Sequence, residues 1–235
     1  MSAQESRRDE LAANLAAVRR RIDAACARAG RDPAAITLVV VTKNWPASDV
    51  RALAGLGVRD VGENRDQEAA AKHDACADLD QLVWHFVGQL QTNKARSVAR
   101  YADVVHSVDR ARLVAALDRA AEAEGRRLTC LVQVDLDGGV GRGGARPDTV
   151  LDLAETVASS RQLALGGLMA VAPLGTDPAP AFARLGELAV TVREHHPQAT
   201  IVSAGMSGDL EAAVAAGATH LRIGTAVLGS RRAVR

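Results

Sequence analysis

The stretch ITLVVVT, residues 36–42, is a continuous run of apolar and β-branched residues, typical of a β-strand covered on both faces. Seven further short apolar segments follow it, separated by helical stretches rich in Ala, Leu and charged residues. Strictly alternating strands and helices predict parallel strands, and eight such units in about 200 residues predict a (β/α)8 barrel. A doubly wound open sheet is the structural alternative. The seven further segments are residues 58–62, 82–88, 103–109, 128–136, 163–171, 199–205 and 219–225.

A helix is predicted ahead of the barrel, over about residues 5–29. Its apolar residues recur every three or four positions, as on one face of an amphipathic helix: Leu11, Leu15, Val18 and Ile22. No segment rich in Pro, Gly or Ser divides the chain. We therefore expect one domain over residues 1–235, with the barrel at about residues 36–230. The glycine-rich loop 138–147 follows the fifth strand, and its role stays open.

Composition excludes several classes of protein. The 29 Lys and Arg against 28 Asp and Glu give a net charge of +1, which argues against binding nucleic acid through bulk charge. Two Trp, one Tyr and two Phe are too few for a base-stacking platform. The chain has no apolar signal sequence and no run of about 18 apolar residues, so we expect a cytoplasmic protein without a membrane span. Cys26, Cys76 and Cys130 lack zinc-like spacing, which indicates reduced thiols and no metal site.

The ends of the last two predicted strands are typical of a phosphate site. Gly205-Met206-Ser207 follows the seventh strand and Gly224-Thr225 follows the eighth. Barrels frequently bind phosphate with these two loops, through backbone N–H groups near a helix N-terminus. Glycine lets the backbone approach the oxygens, and Ser207 and Thr225 add hydroxyl donors. The structural alternative is a pair of turn glycines and a helix N-cap serine.

Lys43 and Arg222 lie at the same predicted end of the barrel. A lysine directly after a strand can be partly desolvated, and a neutral amine forms Schiff bases with aldehydes; the alternative is a solvated loop lysine. An aldehyde and a phosphate occur together in pyridoxal 5′-phosphate (PLP). Arg222 only donates hydrogen bonds, so a pyridine nitrogen facing it would be unprotonated, and the ring a weaker electron sink. An ion pair with a carboxylate at the rim is the alternative for Arg222.

Several longer motifs resemble those of the pyridoxal phosphate homeostasis proteins, which are relatives of the barrel domain of bacterial alanine racemase. The resemblance covers about residues 10 to 230, and its most specific parts are WHFVGQLQTNK and the pair GMS and RIGT. The matching segments are VVVTKNWP (39–46), VGEN (61–64), WHFVGQLQTNKAR (84–96), HSVD (106–109), GLMAVAP (167–173) and AGMSGDLEAAVAAGATHLRIGTAVLG (204–229).

The resemblance implies a barrel that holds PLP as an aldimine of Lys43. It implies phosphate contacts from Ser207, Gly224 and Thr225, with Arg222 beside the ring nitrogen. It also implies that further residues lie around the cofactor: Asn64, His85 and Met206. The family is thought to buffer and deliver PLP, without established catalytic turnover.

Two positions depart from many members of that family. A lysine is common two residues after the aldimine lysine, where this chain has Trp45. A lysine is also common in the loop after the fifth strand, where this chain has Gly141-Arg142-Gly143-Gly144. Arginine does not act as a Schiff-base amine at neutral pH, so any transfer of PLP through those lysines is in doubt here.

A PLP-dependent amino-acid racemase or related enzyme is the alternative function. In alanine racemase the second base is a tyrosine outside the barrel, whereas this chain ends at Arg235 and its only tyrosine, Tyr101, is expected to pack structurally. His85 or His106 could act as a base, although a histidine on a strand is more often a packed, hydrogen-bonded residue. A barrel that binds a phosphorylated sugar is a third reading. We expect a monomer whose partners are PLP and PLP-dependent apo-enzymes.

Overall fold

Eight parallel strands close into a barrel, as the alternation of apolar segments predicts. The computed structural model describes residues 3–137 and 143–230. The strands are β1 (Thr37–Val41), β2 (Asp60–Glu63), β3 (Val83–Phe86), β4 (Val104–Val108), β5 (Leu128–Gln133), β6 (Leu163–Met169), β7 (Ile201–Ser203) and β8 (His220–Ile223). β1 pairs with β2 on one side and with β8 on the other, where Val40 lies opposite Ile223. This closure excludes the open-sheet alternative.

Helices follow the strands around the outside of the barrel. They are α1 (Ala3–Ala29), α2 (Ala47–Gly55), α3 (Asp66–Ala75), α4 (Ala95–Tyr101), α5 (Ala111–Ala123), α6 (Val150–Ala158), α7 (Ala179–His195), α8 (Leu210–Ala215) and α9 (Thr225–Leu228). The first of these confirms the predicted N-terminal helix. Its stripe of Leu11, Leu15, Val18 and Ile22 is buried, and it packs against α2, α8 and α9.

Two α-helices begin later than the sequence predicts, because a tighter 3₁₀ turn precedes each of them. The helices expected at 91–100 and 147–160 each begin with a 3₁₀ turn, at Thr92–Lys94 and Pro147–Thr149. Pro147 suits such a start because it has no N–H to leave unpaired. The short α9 was not separately predicted, since four residues are too few to show a periodicity. Gly141 and Arg142, on which one sequence expectation rests, lie outside the described residues.

Two packing regions hold the barrel together. The larger one lies between the strands and the surrounding helices and takes up most of the buried apolar side chains. The smaller one consists of five apolar residues that pack together separately: Val83, Val104, Leu131, Met169 and Ile201. Other positions of the strands carry buried polar side chains, which need partners there: His85, His106, Ser203 and Arg222.

The described part of the chain contains no helix long and apolar enough to cross a membrane. Its three cysteines, Cys26, Cys76 and Cys130, are free and buried. Burial raises the pKa of the Cys130 thiol to about 12, which keeps it protonated and unreactive at neutral pH.

Candidate cofactor-binding site

Two hydroxyl groups meet where β7 and β8 end. Ser207 follows β7, and Thr225 opens α9 directly after β8. The Thr225 hydroxyl donates to Ser207 Oγ at 3.3 Å, and the backbone N–H of Ala226 donates to the same oxygen at 3.2 Å. The hydroxyls that the sequence assigns to one phosphate site therefore lie together.

The loop after β7 is held in shape from several sides. Gly205 has a φ of +91°, and a Cβ atom there would lie 2.6 Å from Ala213 Cβ, so only glycine fits this position. The backbone N–H of Met206 donates to Asp209 Oδ1 at 2.5 Å. From α1, Arg21 donates to the backbone oxygen of Ser207 at 3.1 Å. Met206 and Ser207 are thus positioned by backbone contacts, with both side chains half-buried.

The turn that carries Lys43 begins next to the end of β8 because β1 and β8 are neighbours in the barrel. Lys43 comes two residues after the end of β1, and a Cβ atom on Gly224 would lie 3.3 Å from the backbone oxygen of Val41. The chain turns sharply here, with Asn44 at a φ of 65°, and the turn leaves Lys43 exposed. The expected partial desolvation of Lys43 is therefore wrong for this structure.

A buried cluster of charges holds the turn on both sides of Lys43. The Lys72 ammonium on α3 donates to the backbone oxygen of Thr42, to Glu63 Oε1 and to Glu68 Oε1, each at 2.7 Å. Glu68 also accepts from the backbone N–H of Asn44. Burial raises the pKa of Glu63, and the hydrogen bond from Lys72 acts in the opposite direction.

Trp45 contacts the N-terminal helix. The Arg7 guanidinium lies 4.5 Å from the centroid of the Trp45 ring, a cation–π contact. Arg7 also donates to Asp49 at 2.8 Å and to the backbone oxygen of Leu228 at 3.0 Å. This arginine therefore links the turn after β1 to the end of α9.

Asn64 comes directly after β2, at the next strand end around the barrel. It is half-buried, and its Oδ1 atom is buried without a hydrogen-bond partner within the described ranges. A Cβ atom on Gly88 would lie only 2.2 Å from the backbone oxygen of Asn64, so the end of β3 packs directly against it. A buried amide oxygen without a partner is a ready acceptor for a ligand.

Arg222 lies on β8 with 5% of its surface exposed. It donates to Ser203 Oγ at 2.6 Å and to the backbone oxygen of Ala170 at 2.8 Å. Neither acceptor is a carboxylate, so the described residues do not form the rim ion pair considered as an alternative. Burial lowers the pKa of Arg222 to about 10, which leaves the guanidinium charged at neutral pH.

His85 lies inside the barrel rather than among the loops at its mouth. It is 2% exposed, with Nδ1 2.8 Å from His106 Nε2 and Nε2 3.0 Å from Asp60 Oδ1. Both ring nitrogens thus have protein partners, and the expectation that His85 lines the cofactor pocket finds no support in these contacts. A polar ring that faces the barrel interior needs such partners.

Some residues that support the site do not follow the end of a strand, and the sequence analysis did not identify them. Lys72 and Arg21 look like solvated helix residues, although Glu68 four positions before Lys72 was a signal for an ion pair. Asp60 and Ser203 fall inside short apolar segments, and no local pattern distinguishes them.

Comparisons with known proteins identify the family of this chain. The family model of the alanine racemase N-terminal domain matches residues 13–232. The pyridoxal phosphate homeostasis protein of Mycobacterium bovis is 46% identical over 99% of this chain and 97% of its own length. PipY of Synechococcus elongatus, solved with PLP bound, is 36% identical, with a TM-score of 0.82 over 93% of this chain and 100% of PipY. Alanine racemase of Streptomyces coelicolor, 19% identical over 95% of this chain and 59% of its own, shares the fold, with a TM-score of 0.74. The chain belongs to the pyridoxal phosphate homeostasis protein family, within the wider family of alanine racemase N-terminal domains.

Proposed function

We propose that the protein binds PLP at the mouth of the barrel and serves intracellular PLP homeostasis by holding and releasing it. The observation that carries this proposal is the order of the strands. The ends of β7, β8, β1 and β2 are consecutive around the closed barrel, and they bear Ser207, Thr225, Lys43 and Asn64 in that order. The name of the mycobacterial relative and the PLP bound in PipY support the same ligand.

The loops after β7 and β8 fit the phosphate group. The Thr225 hydroxyl and the N–H of Ala226 both lie within 3.3 Å of Ser207 Oγ and donate to it, and such groups bind phosphate oxygens. Gly224 carries no side chain at the point where β8 meets β1, so the backbone there can approach a ligand. We assign the phosphate to Ser207, Gly224 and Thr225, with Met206 beside it.

Lys43 is the best placed of the three lysines in the chain. PLP, when bound, supplies an aldehyde to which a primary amine adds reversibly. Lys72 is buried, and its ammonium already donates to three oxygens. Lys94 is 40% exposed and lies 3.7 Å from Asp66, on the far side of Asn64 from the phosphate loops. Lys43 is exposed and adjacent to β8, so we assign it the covalent bond to PLP.

Arg222 and Asn64 are assigned to the ring. Arg222 has five N–H donors, and its contacts with Ser203 and Ala170 leave others for a pyridine nitrogen. Asn64 contributes its unpaired Oδ1 atom. A charged guanidinium at the ring nitrogen would keep that nitrogen unprotonated, which would make the ring a weaker electron sink.

The racemase alternative gains no support from the candidate bases. Tyr101 is buried, and burial raises the pKa of its hydroxyl strongly. His106 is fully buried, its pKa is well below the ordinary value because of burial, and both its nitrogens contact protein atoms.

The test is to incubate the protein with PLP, reduce it with borohydride, and map the modified peptide. We expect one PLP per chain on Lys43. Lys43→Ala should lose the modification and the visible absorbance of bound PLP, whereas the control Lys94→Ala should keep both. A modification on Lys94, or a wild-type protein that takes up no PLP, would overturn the proposal. The phosphorylated-sugar reading predicts two other results. The wild-type protein would form no adduct with PLP, and Lys43→Ala would bind phosphate as the wild type does.

Delivery and location are part of the same proposal. We infer that a monomer passes PLP to PLP-dependent apo-enzymes in the cytoplasm, where the three buried thiols stay reduced. If delivery is direct, we expect PLP to pass from the loaded protein to an apo-enzyme faster than the loaded protein releases PLP into solution.

A further inference from the structure

A chain of five hydrogen-bonded side chains crosses the interior of the barrel. Arg222 contacts Ser203 Oγ at 2.6 Å, and Ser203 Oγ lies 2.9 Å from His106 Nδ1. His106 Nε2 lies 2.8 Å from His85 Nδ1, and His85 Nε2 lies 3.0 Å from Asp60 Oδ1. Asp60 is the first residue of β2, so the chain ends at the rim opposite Lys43 and the phosphate loops.

The direction of every hydrogen bond in this chain follows from its Arg222 end. Arg222 only donates, so Ser203 Oγ accepts from it. Ser203 is fully buried, and His106 is the only other hydrogen-bond partner of its Oγ atom within the described ranges. The Ser203 hydroxyl must therefore donate to His106 Nδ1, because otherwise a buried O–H donor would lack an acceptor.

The remaining bonds are then determined as well. His106 is neutral, because burial and the neighbouring His85 and Arg222 hold its pKa well below the ordinary value. With Nδ1 accepting, His106 carries its proton on Nε2 and donates to His85 Nδ1. His85 then carries its proton on Nε2 and donates to the Asp60 carboxylate, which only accepts. All five side chains are satisfied, and each orients the next.

We propose that Asp60, His85, His106 and Ser203 are positioning residues that orient Arg222, so that the charge at one rim of the barrel affects PLP binding at the other. This inference rests on the proposed function only in assigning Arg222 to the cofactor. Asp60 is the member of this chain most accessible to solvent, since a quarter of its side chain is exposed. It also lines a cavity of about 370 Å³ at that rim, together with Arg19, Asp23 and Arg59.

The first experiment uses the protein without PLP. Nitrogen-15 NMR of the imidazoles at neutral pH, assigned with single histidine variants, should show His85 and His106 as the Nε2–H tautomers. In Ser203→Ala, His106 loses the donor at Nδ1 and should become a mixture of tautomers. A proton on His106 Nδ1, or a doubly protonated His85, in the wild-type protein would overturn the inference.

The second experiment measures PLP binding and the absorption spectrum of bound PLP. Asp60→Asn removes the charge at the end of the chain and keeps an acceptor oxygen. It should raise the PLP dissociation constant roughly 3- to 10-fold and alter the spectrum, because residues in one hydrogen-bond network are coupled. Ser203→Ala should act in the same direction. The control Asp23→Asn removes an exposed charge from the same cavity and should bind PLP like the wild-type protein.

These outcomes separate the two proposals. A wild-type protein that binds no PLP but shows both Nε2–H tautomers would refute the proposed function and leave the hydrogen-bonded chain in place. Wild-type binding by folded Asp60→Asn and Ser203→Ala, with unchanged spectra, would refute the positioning role alone.

Discussion

At Lys72, one buried ammonium group donates to three oxygens that surround the turn carrying Lys43. Thr42 precedes Lys43, and Glu68 also binds the N–H of Asn44, which follows it. Burying a charge costs free energy, and its partners offset that cost only while they are present. The position of an exposed amine thus depends on a lysine that never reaches the ligand.

Lys72→Met should therefore destabilise the protein strongly. It leaves the Glu63 carboxylate, 1% exposed, without its cation, and losing one partner of a buried ion pair costs about 3–5 kcal/mol. The free energy of unfolding in urea measures this loss. The control Lys94→Met breaks a longer, half-exposed contact and should cost less than about 1 kcal/mol. Equal losses in the two variants would contradict the supporting role of Lys72.

Single residues were predictable from the sequence where they stand at the end of an apolar run. Lys43, Ser207 and Thr225 were singled out in this way, because strand ends share one rim of a parallel barrel, whereas Asn64 was named through the family resemblance. The exposure of each side chain was not predictable, since it depends on the direction in which the folded backbone points it. The turn after β1 leaves Lys43 exposed, whereas His85 points from β3 into the barrel.

Among the elements, α1 does more than cover the barrel. Three of its polar side chains bind backbone oxygens of the loops assigned to phosphate and of α9 beside them. Arg7 donates to Leu228, Asn14 to Val227, and Arg21 to Ser207. The helix thereby holds the segments after β7 and β8 in one arrangement.

Arg21→Met should weaken phosphate and PLP binding without unfolding the protein. It removes the contact with Ser207 and the paired bonds to Glu211 at 2.9 and 3.0 Å. We expect the dissociation constants of inorganic phosphate and PLP, measured by calorimetry, to rise roughly 3-fold or more, since neighbouring contacts are coupled. Arg20→Met, an exposed change on the same helix, is the control and should bind as the wild type does. Unchanged affinity in both variants would show that the Ser207 loop keeps its shape without α1.

Helices and strands were predictable wherever the segment was long enough for the spacing of its apolar residues to show a period. Seven of the eight strands lie within the predicted segments, β2 runs one residue beyond its segment, to Glu63, and α1 extends the predicted helix by two residues. The 3₁₀ turns and α9 were not, because three or four residues carry no period.

For the whole molecule, the buried His106 and the half-buried His220 make stability depend on pH. Burial lowers the pKa of His106 well below the ordinary value and that of His220 to about 4. Unfolded histidines take up a proton near pH 6.5. Between about pH 6.5 and 4 the unfolded state therefore binds more protons, and the free energy of unfolding falls as the pH falls.

His220→Asn should flatten this dependence. The substitution removes up to one proton from the difference in protons bound by the unfolded and folded states. The slope of the free energy of unfolding against pH should therefore fall by up to about 1.4 kcal/mol per pH unit. Urea unfolding at several pH values between 4 and 7 checks the slope. His195→Asn, an exposed change at the end of α7, should leave the slope as it is. A wild-type slope in His220→Asn would show that His220 is protonated in the folded protein too.

Closure of the barrel was predictable from the number of units, but the polar chain inside it was not. His106 and Ser203 are 97 positions apart, and only the folded barrel brings their strands to face each other. A single sequence holds no local signal for such a pair.

Trp45 has a consequence for how the protein can be observed. It is one of two tryptophans and lies two residues from the assigned amine, whereas Trp84 is buried on β3 beside His73. A chromophore attached at Lys43 would quench the emission of Trp45 far more than that of Trp84. With PLP on Lys43, the protein would carry an intrinsic fluorescent reporter of its own occupancy, and Trp45→Phe would remove that signal and leave the emission of Trp84.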